Sequence, residues 1–173
     1  MVLAAGLSYV DLNFLGRANV IATGVIAGEA GTALVDPGPA SCLSTLEEQL
    51  QAQGVRLRDV THLLLTHIHL DHAGATGTIV KRHPQVQVVV HERGATHMID
   101  PQKLLDSATR LYGADMDRLW GEFLAVPEGN IRTVRGGERI EAAGRTFDVA
   151  YTPGHALHHV SFYDASARRS ARR

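Results

Sequence analysis

The sequence predicts a layered α/β fold, and three observations carry that prediction. β-rich runs open and close the chain, the middle alternates buried strand with helix, and Gly or Pro marks the turns between them. At 173 residues and 45% apolar content, the chain supports a single core. It is read as one domain over residues 1–164, followed by a basic low-complexity tail over 165–173.

Ser8–Leu15, Asn19–Ala27 and Thr32–Val35 read as strands of an antiparallel opening sheet, punctuated by Gly16, Gly28 and Gly31. The third ends in the turn Asp36-Pro37-Gly38, where Asp36 is expected to hydrogen-bond within the turn. Ser41 is expected to cap a helix whose Leu43, Leu46 and Leu50 recur at helical spacing until Gly54. Val60–Leu65 is a short apolar run, read as a buried strand, and Ala75–His83 as a helix stopped by Pro84. Val86–His91 follows as a strand. Asp100–Leu124 is helical in pattern, with Leu104, Leu105, Ala108, Leu111 and Tyr112 on one side and an interruption at Gly113. Ile131–Val134, Glu138–Glu141, Thr146–Tyr151 and Val160–Tyr163 return to strand patterning around Gly136-Gly137 and Ala143-Gly144. The tail carries four arginines and nothing apolar larger than alanine, so it reads as a solvated end.

A net charge of -1 gives no field to attract a nucleic-acid backbone or an anionic membrane, and neither partner is expected. No run approaches the roughly 18 apolar residues that span a bilayer, and Met1–Val10 lacks the basic start of a secretory signal. The single cysteine, Cys42, fits a reducing cytoplasm and reads as a small packing residue beside a helix start.

The chemistry is concentrated in His67, His69, Asp71 and His72, directly after the Val60–Leu65 run. Zinc and similar metals take imidazole nitrogen and carboxylate oxygen, three or four groups converging at about 2.0–2.2 Å. In extended backbone His67 and His69 point the same way, so they reach one ion together. If a helix begins after Leu70, Asp71 and His72 project toward a neighbouring position, which splits the cluster into two half-sites. Tyr151-Thr152-Pro153-Gly154-His155 repeats the strand-then-turn geometry. His155 would complete a three-histidine set with His67 and His69, leaving a fourth tetrahedral position for a water whose pKa falls to about 7. Asp71 is then the candidate catalytic residue, orienting that water or accepting its proton unless a second metal claims it. His159 and Asp36 are candidates to hydrogen-bond behind the ligands. His62, His83, His97 and His158 read as ordinary surface or core histidines, and Tyr112 and Trp120 as packing residues. His91 reads as a surface histidine at a strand end, with a part in shaping the pocket as the alternative.

Thr66-His67-Ile68-His69-Leu70-Asp71-His72 resembles the H-x-H-x-D-H motif of the metallo-β-lactamase superfamily. The turns Val35-Asp36-Pro37-Gly38 and Thr152-Pro153-Gly154-His155 sit where that family has its own. The resemblance runs from about Tyr9 to about Asp164 and is strongest to the glyoxalase-II-like hydrolase branch. It implies an αββα sandwich with the metals at one edge. It also implies a small-molecule substrate and hydrolysis of an ester, thioester, lactone, β-lactam or phosphoester bond. One or two zinc ions are implied, with iron or manganese as alternatives. Family members continue past the strand matching Val160–Tyr163 to a metal-bridging aspartate and a further histidine, where this sequence gives the Arg-rich tail. The second half of the sandwich is therefore expected to be incomplete, the first metal position keeping three histidines and the second only Asp71 and His72. An exposed edge or apolar face should result, with a homo-oligomer as one way to cover it.

The leading expectation is an enzyme, a metal-dependent hydrolase using metal-bound hydroxide, impaired to the extent that the missing ligands matter. Two alternatives stay open: a non-catalytic metal-binding or interaction fragment, and a mono-iron persulfide-type oxygenase.

Overall fold

The computed structural model describes residues 2–164, so the expected tail over 165–173 lies outside the described residues. Strands β1 (Val2–Ala4), β2 (Leu7–Asp11), β3 (Ala22–Gly28) and β4 (Gly31–Val35) form an antiparallel meander. β5 (Val60–Leu64), β6 (Gln87–His91) and β7 (Ile131–Val134) extend it in parallel, giving a seven-stranded sheet in sequence order. A second, antiparallel sheet has three strands, β8 (Arg139–Ala142), β9 (Arg145–Tyr151) and β10 (Val160–Asp164), with β9 central.

Alternation along the strands divides the core in two. Val25, Leu34, Leu63, Val88 and Val90 face a helical layer, while their neighbours Ile26, Ala33, Leu64 and Val89 face the second sheet. Helix α1 (Leu43–Ala52) contributes Leu43, Leu46 and Leu50 to the helical side. It is joined there by α2 (Leu70–Ala73), α3 (Thr76–Arg82), α4 (Glu92–Ile99), α5 (Gln102–Tyr112) and α6 (Met116–Trp120). Phe147, Val149, Ile140 and Val160 close the sheet-to-sheet core. The layers among the described residues are helix, sheet, sheet, three of the four in the sandwich expected from the sequence.

Several expectations are corrected. β2 stops at Asp11 instead of reaching Leu15, because the Asp11 carboxylate accepts hydrogen bonds from the amides of Asn13 (2.9 Å) and Asn19 (2.7 Å) and turns the chain there. Ser41 does not cap α1: its hydroxyl donates to the Leu119 carbonyl at 2.6 Å, tying the α6 segment down, and Cys42 occupies the cap position. β1 and α4 were not foreseen. Of the exposed edge or apolar face expected, the described residues of the second sheet give an edge at β10 and no large apolar outer face. Outward positions hold Arg139, Glu141, Thr146 and Asp148, joined by an Arg139–Asp148 ion pair (2.7 Å) and a Thr146 hydroxyl bond to Glu141 (2.5 Å).

Because β4, β5 and β6 run parallel, their carboxyl ends deliver Asp36, the 66–72 segment and His91 to one edge of the large sheet. The second sheet meets that edge where the Val160 amide donates to the Thr66 carbonyl at 2.9 Å.

Candidate metal centre

His67 follows the β5 end and is buried, 2% exposed. His69 keeps extended backbone (φ -63°, ψ 152°), and α2 begins at the next residue. Leu70 and Ala73 are the buried face of that one-turn helix, so Asp71 and His72 project elsewhere. The turn after β4 is stapled to it: Gly38 N–H donates to His72 O (2.9 Å) and Ala75 N–H to Gly38 O (2.8 Å). Gly74 makes this approach possible, since a Cβ there would stand 2.5 Å from the Leu70 oxygen and 2.9 Å from Pro39 Cα.

The 151–160 segment brings His155 across from the second sheet, held by Thr152 N–H donating to His159 O at 3.0 Å. His155 Nε2 lies 3.0 Å from His69 Nδ1. Two ligands at about 2.0 Å from one tetrahedral ion stand roughly 3.3 Å apart. In the metal-free chain the same contact serves as an N–H···N hydrogen bond. The donor atoms of His67, His69 and His155 all lie within 4.8 Å of one another. His67 Nδ1 is engaged by the Thr66 hydroxyl at 3.0 Å, while its Nε2 is buried with no hydrogen-bond partner among the described residues. A buried, unpaired nitrogen beside two further imidazoles is costly unless a cation completes it. On that observation, the residues fit a metal.

Asp36, His67 and His72 also cluster within 4.8 Å, but Asp36 is already spent. Its Oδ1 accepts the Thr66 amide (2.8 Å), and its Oδ2 accepts the Thr66 hydroxyl (2.6 Å) and contacts His72 Nδ1 (2.9 Å). With Nδ1 donating to Asp36, His72 presents Nε2 as a lone pair, 3.4 Å from Asp71 Oδ2. The second half-site is thus His72 Nε2 with Asp71. Asp36 acts as the carboxylate that sets the tautomer, holding a left-handed backbone (φ 52°) that Asp tolerates. The expectation that Asp36 bonds within its own turn is corrected: the carboxylate reaches across to the β5 loop and to His72, the place behind the ligands for which it was also a candidate.

Electrostatics follow from this packing. Burial pushes His67 down to about 3, helped by the charges that His72, His69, His159 and His155 would carry. Burial likewise lowers His69, with His155 adding to it. His72 moves the other way: burial lowers it, but the hydrogen bond and charge of Asp36, aided by Asp71, outweigh burial and raise it. His159 lies 5.4 Å from the His67 ring, centroid to centroid, and is held by the Thr152 hydroxyl at 2.8 Å.

Two histidines read otherwise in the sequence also belong to this edge. His158 stacks 6.3 Å from His67, its Nδ1 is buried without a hydrogen-bond partner among the described residues, and burial pushes it down to about 4. Its position three residues after His155 was the available signal. His91 is not a surface residue: it is buried, accepts the Arg93 amide at 3.1 Å to cap α4, and stacks on Tyr151 at 5.0 Å. His62, half-buried, bonds Thr61 on β5 as a structural residue. A pocket of about 410 Å³ opens beside His69, Asp71 and His155.

A model of the family described as "Metallo-beta-lactamase superfamily" matches residues 16–169. A hydroxyacylglutathione hydrolase of Stenotrophomonas maltophilia is 30% identical over 143 residues, 82% of this chain and 41% of its own length. A metallo-beta-lactamase fold-containing protein of Sulfurisphaera tokodaii is 26% identical over 141 residues, 79% of this chain and 50% of its own. Among solved structures, a native metallo-beta-lactamase from Legionella gormanii superimposes with a TM-score of 0.71 at 20% identity, over 94% of this chain and 56% of that one. The chain spans about half the length of the curated relatives it matches.

Proposed function

Because the chain belongs to the metallo-β-lactamase superfamily, we propose that it is a metal-dependent hydrolase of an ester, thioester, lactone or related bond. The observation that carries the reading is the buried, unpartnered His67 Nε2 facing the imidazoles of His69 and His155. His67, His69 and His155 are assigned as ligands of a first ion, and Asp71 with His72 as the protein ligands of a second. An imidazole-rich donor set favours zinc, and iron and manganese accept the same atoms. A bound divalent ion would supply Lewis acidity toward a carbonyl oxygen and acidify a water to near-neutral pKa.

The chain's own residues do the rest. Asp71, half-buried beside the pocket, is assigned to orient the attacking water and take its proton when it is not itself a ligand. Asp36 and Thr66 hold the loop and the His72 tautomer, so the donors are in place before substrate arrives. The small-molecule reading rests on the pocket beside the ligands and on the hydrolase relatives. A single, buried cysteine supports a cytoplasmic compartment. No helix among the described residues is long and apolar enough to cross a membrane.

The test is elemental analysis of the chain purified without chelator, alongside hydrolysis of a generic thioester and lactone. About one zinc per chain, lost in His155→Ala together with turnover, is expected. Metal binding without turnover of either bond would replace this reading with a metal-binding module.

A further inference from the structure

We propose that the pocket beside the ligand cluster selects an acyl substrate whose arm is neutral and apolar. The inference rests on the hydrolase reading above and deepens it.

His69, Leu70, Asp71 and His155 line one part of the pocket; the rest of its wall is Leu104, Ala108, Leu111, Tyr112 and Trp120, with Ser107 as a neutral polar group. Leu104, Ser107, Ala108 and Leu111 recur at three- and four-residue spacing, so one face of α5 supplies most of this wall. The cations of α5, Lys103 and Arg110, are not among the lining residues, so α5 contributes no charge to the pocket. A carboxylate on an arm lying along α5 would meet no counter-ion among these residues. An apolar arm meets leucine and aromatic carbon throughout.

The wall is built before any ligand arrives. Trp120 stacks on Phe14 at 5.6 Å and takes the edge of Tyr112 at 5.1 Å, and the Ser41 bond to Leu119 fixes the segment carrying it. Leu111 is 78% exposed, a large apolar side chain that the fold does not cover and that an acyl arm would. At about 410 Å³ the pocket falls within the range of small-ligand sites. The reaction balances with water alone. Its oxygen bonds the acyl carbon and the carbon–oxygen or carbon–sulfur bond breaks. One proton passes to the departing alcohol or thiol, and the acid loses the other at neutral pH.

Trp120 is the chain's single tryptophan and lines this pocket, so its fluorescence reports occupancy without any turnover. Titrating the full chain with butanamide, hexanamide and octanamide should tighten Kd roughly four-fold per methylene, roughly fifteen-fold per step of two. Leu111→Asp, at an exposed position that leaves the fold intact, should weaken octanamide at least about ten-fold with metal content and melting unchanged. Neutral acyl esters should show the same chain-length trend in kcat/KM. Chain-length-independent binding overturns the proposal, and so does equally tight binding of an amide whose chain ends in a carboxylate. Amide binding that follows the trend with no ester turnover supports the pocket assignment and strikes the hydrolase reading alone.

Discussion

Asp36→Asn changes one atom's chemistry and nothing in shape, which makes it the sharpest probe of how the cluster is organised. The asparagine carbonyl can replace Oδ1 and still accept the Thr66 amide, now bonded at 2.8 Å. Its amide nitrogen replaces Oδ2, which presently takes the Thr66 hydroxyl and His72 Nδ1 at 2.6 and 2.9 Å. A donor facing Nδ1 forces the His72 proton onto Nε2, the nitrogen 3.4 Å from Asp71. The second half-site loses its lone pair while every backbone atom stays put. Loss of such an orienting carboxylate typically costs about 10–100-fold in metal affinity. Replacing one charge-assisted bond in a part-buried network costs about 1.5–3 kcal/mol of stability, or a melting shift of roughly 3–10 °C for a chain of this size. The pH dependence of that loss has a fixed sign in the metal-free chain. The His72 pKa is raised on folding. Its stabilising pair is therefore complete below the unfolded value of about 6.5 and fades as pH climbs through the folded value. The gap between wild type and variant should be wider at pH 6 than at pH 9. Isothermal titration of zinc into chelator-stripped protein, with denaturant melts at both pH values, measures all three quantities. An Asp36→Asn chain that binds a second equivalent as tightly as wild type would refute the tautomer argument.

Two further outcomes follow from the same geometry. His67 and His158 are pushed down to about 3 and about 4 by burial. The unfolded chain therefore binds more protons below about pH 6.5, and metal-free stability should fall as pH drops from 6.5 toward 4, with saturating zinc delaying the fall; urea midpoints that stay level between pH 7 and 5 would contradict this. Gly74→Ala drives a methyl to 2.5 Å from the Leu70 oxygen and 2.9 Å from Pro39 Cα, which should cost about 1–3 kcal/mol and loosen zinc binding by parting the α2 turn from the Asp36 turn; an unchanged melting temperature would mean that the two segments are not coupled.

The sequence was most legible where period and ligand spacing spoke together. His67, His69 and His155 were named from alternation along an extended segment and from a second strand-then-turn, and those atoms converge in the structure. What could not be read was side-chain bonding between segments distant in sequence. Asp36 was expected to bond inside its turn, the local solution for an aspartate before Pro37, with a place behind the ligands as the other candidate role; its Thr66 partner was not foreseen. The structure spends it 30 residues away on Thr66, because β4 and β5 are parallel neighbours whose carboxyl ends meet. Ser41 failed as a cap for the same reason: a tertiary acceptor, the Leu119 carbonyl, outcompeted the local amide. His91 looked like a surface residue because sequence does not reveal that β7 and Tyr151 cover it.

The polar outer face of the second sheet bears on what that sheet needs as a cover. Had Tyr163 been joined there by leucines and valines, water would face a large apolar surface and self-association would be the natural remedy. Instead Arg139, Asp148, Glu141 and Thr146 satisfy one another across β8 and β9, and the apolar positions Ile140, Phe147 and Val149 all turn inward. Sheet-to-sheet burial therefore does not depend on a fourth layer to keep its core dry. Among the described residues no strand lies on the other edge of β10, so strand pairing, not apolar burial, is the contact open to a further segment or a second copy. That edge begins at Val160, whose amide is bonded to Thr66 in the ligand loop. Whatever pairs with β10 therefore bears on the loop that presents His67 and His69.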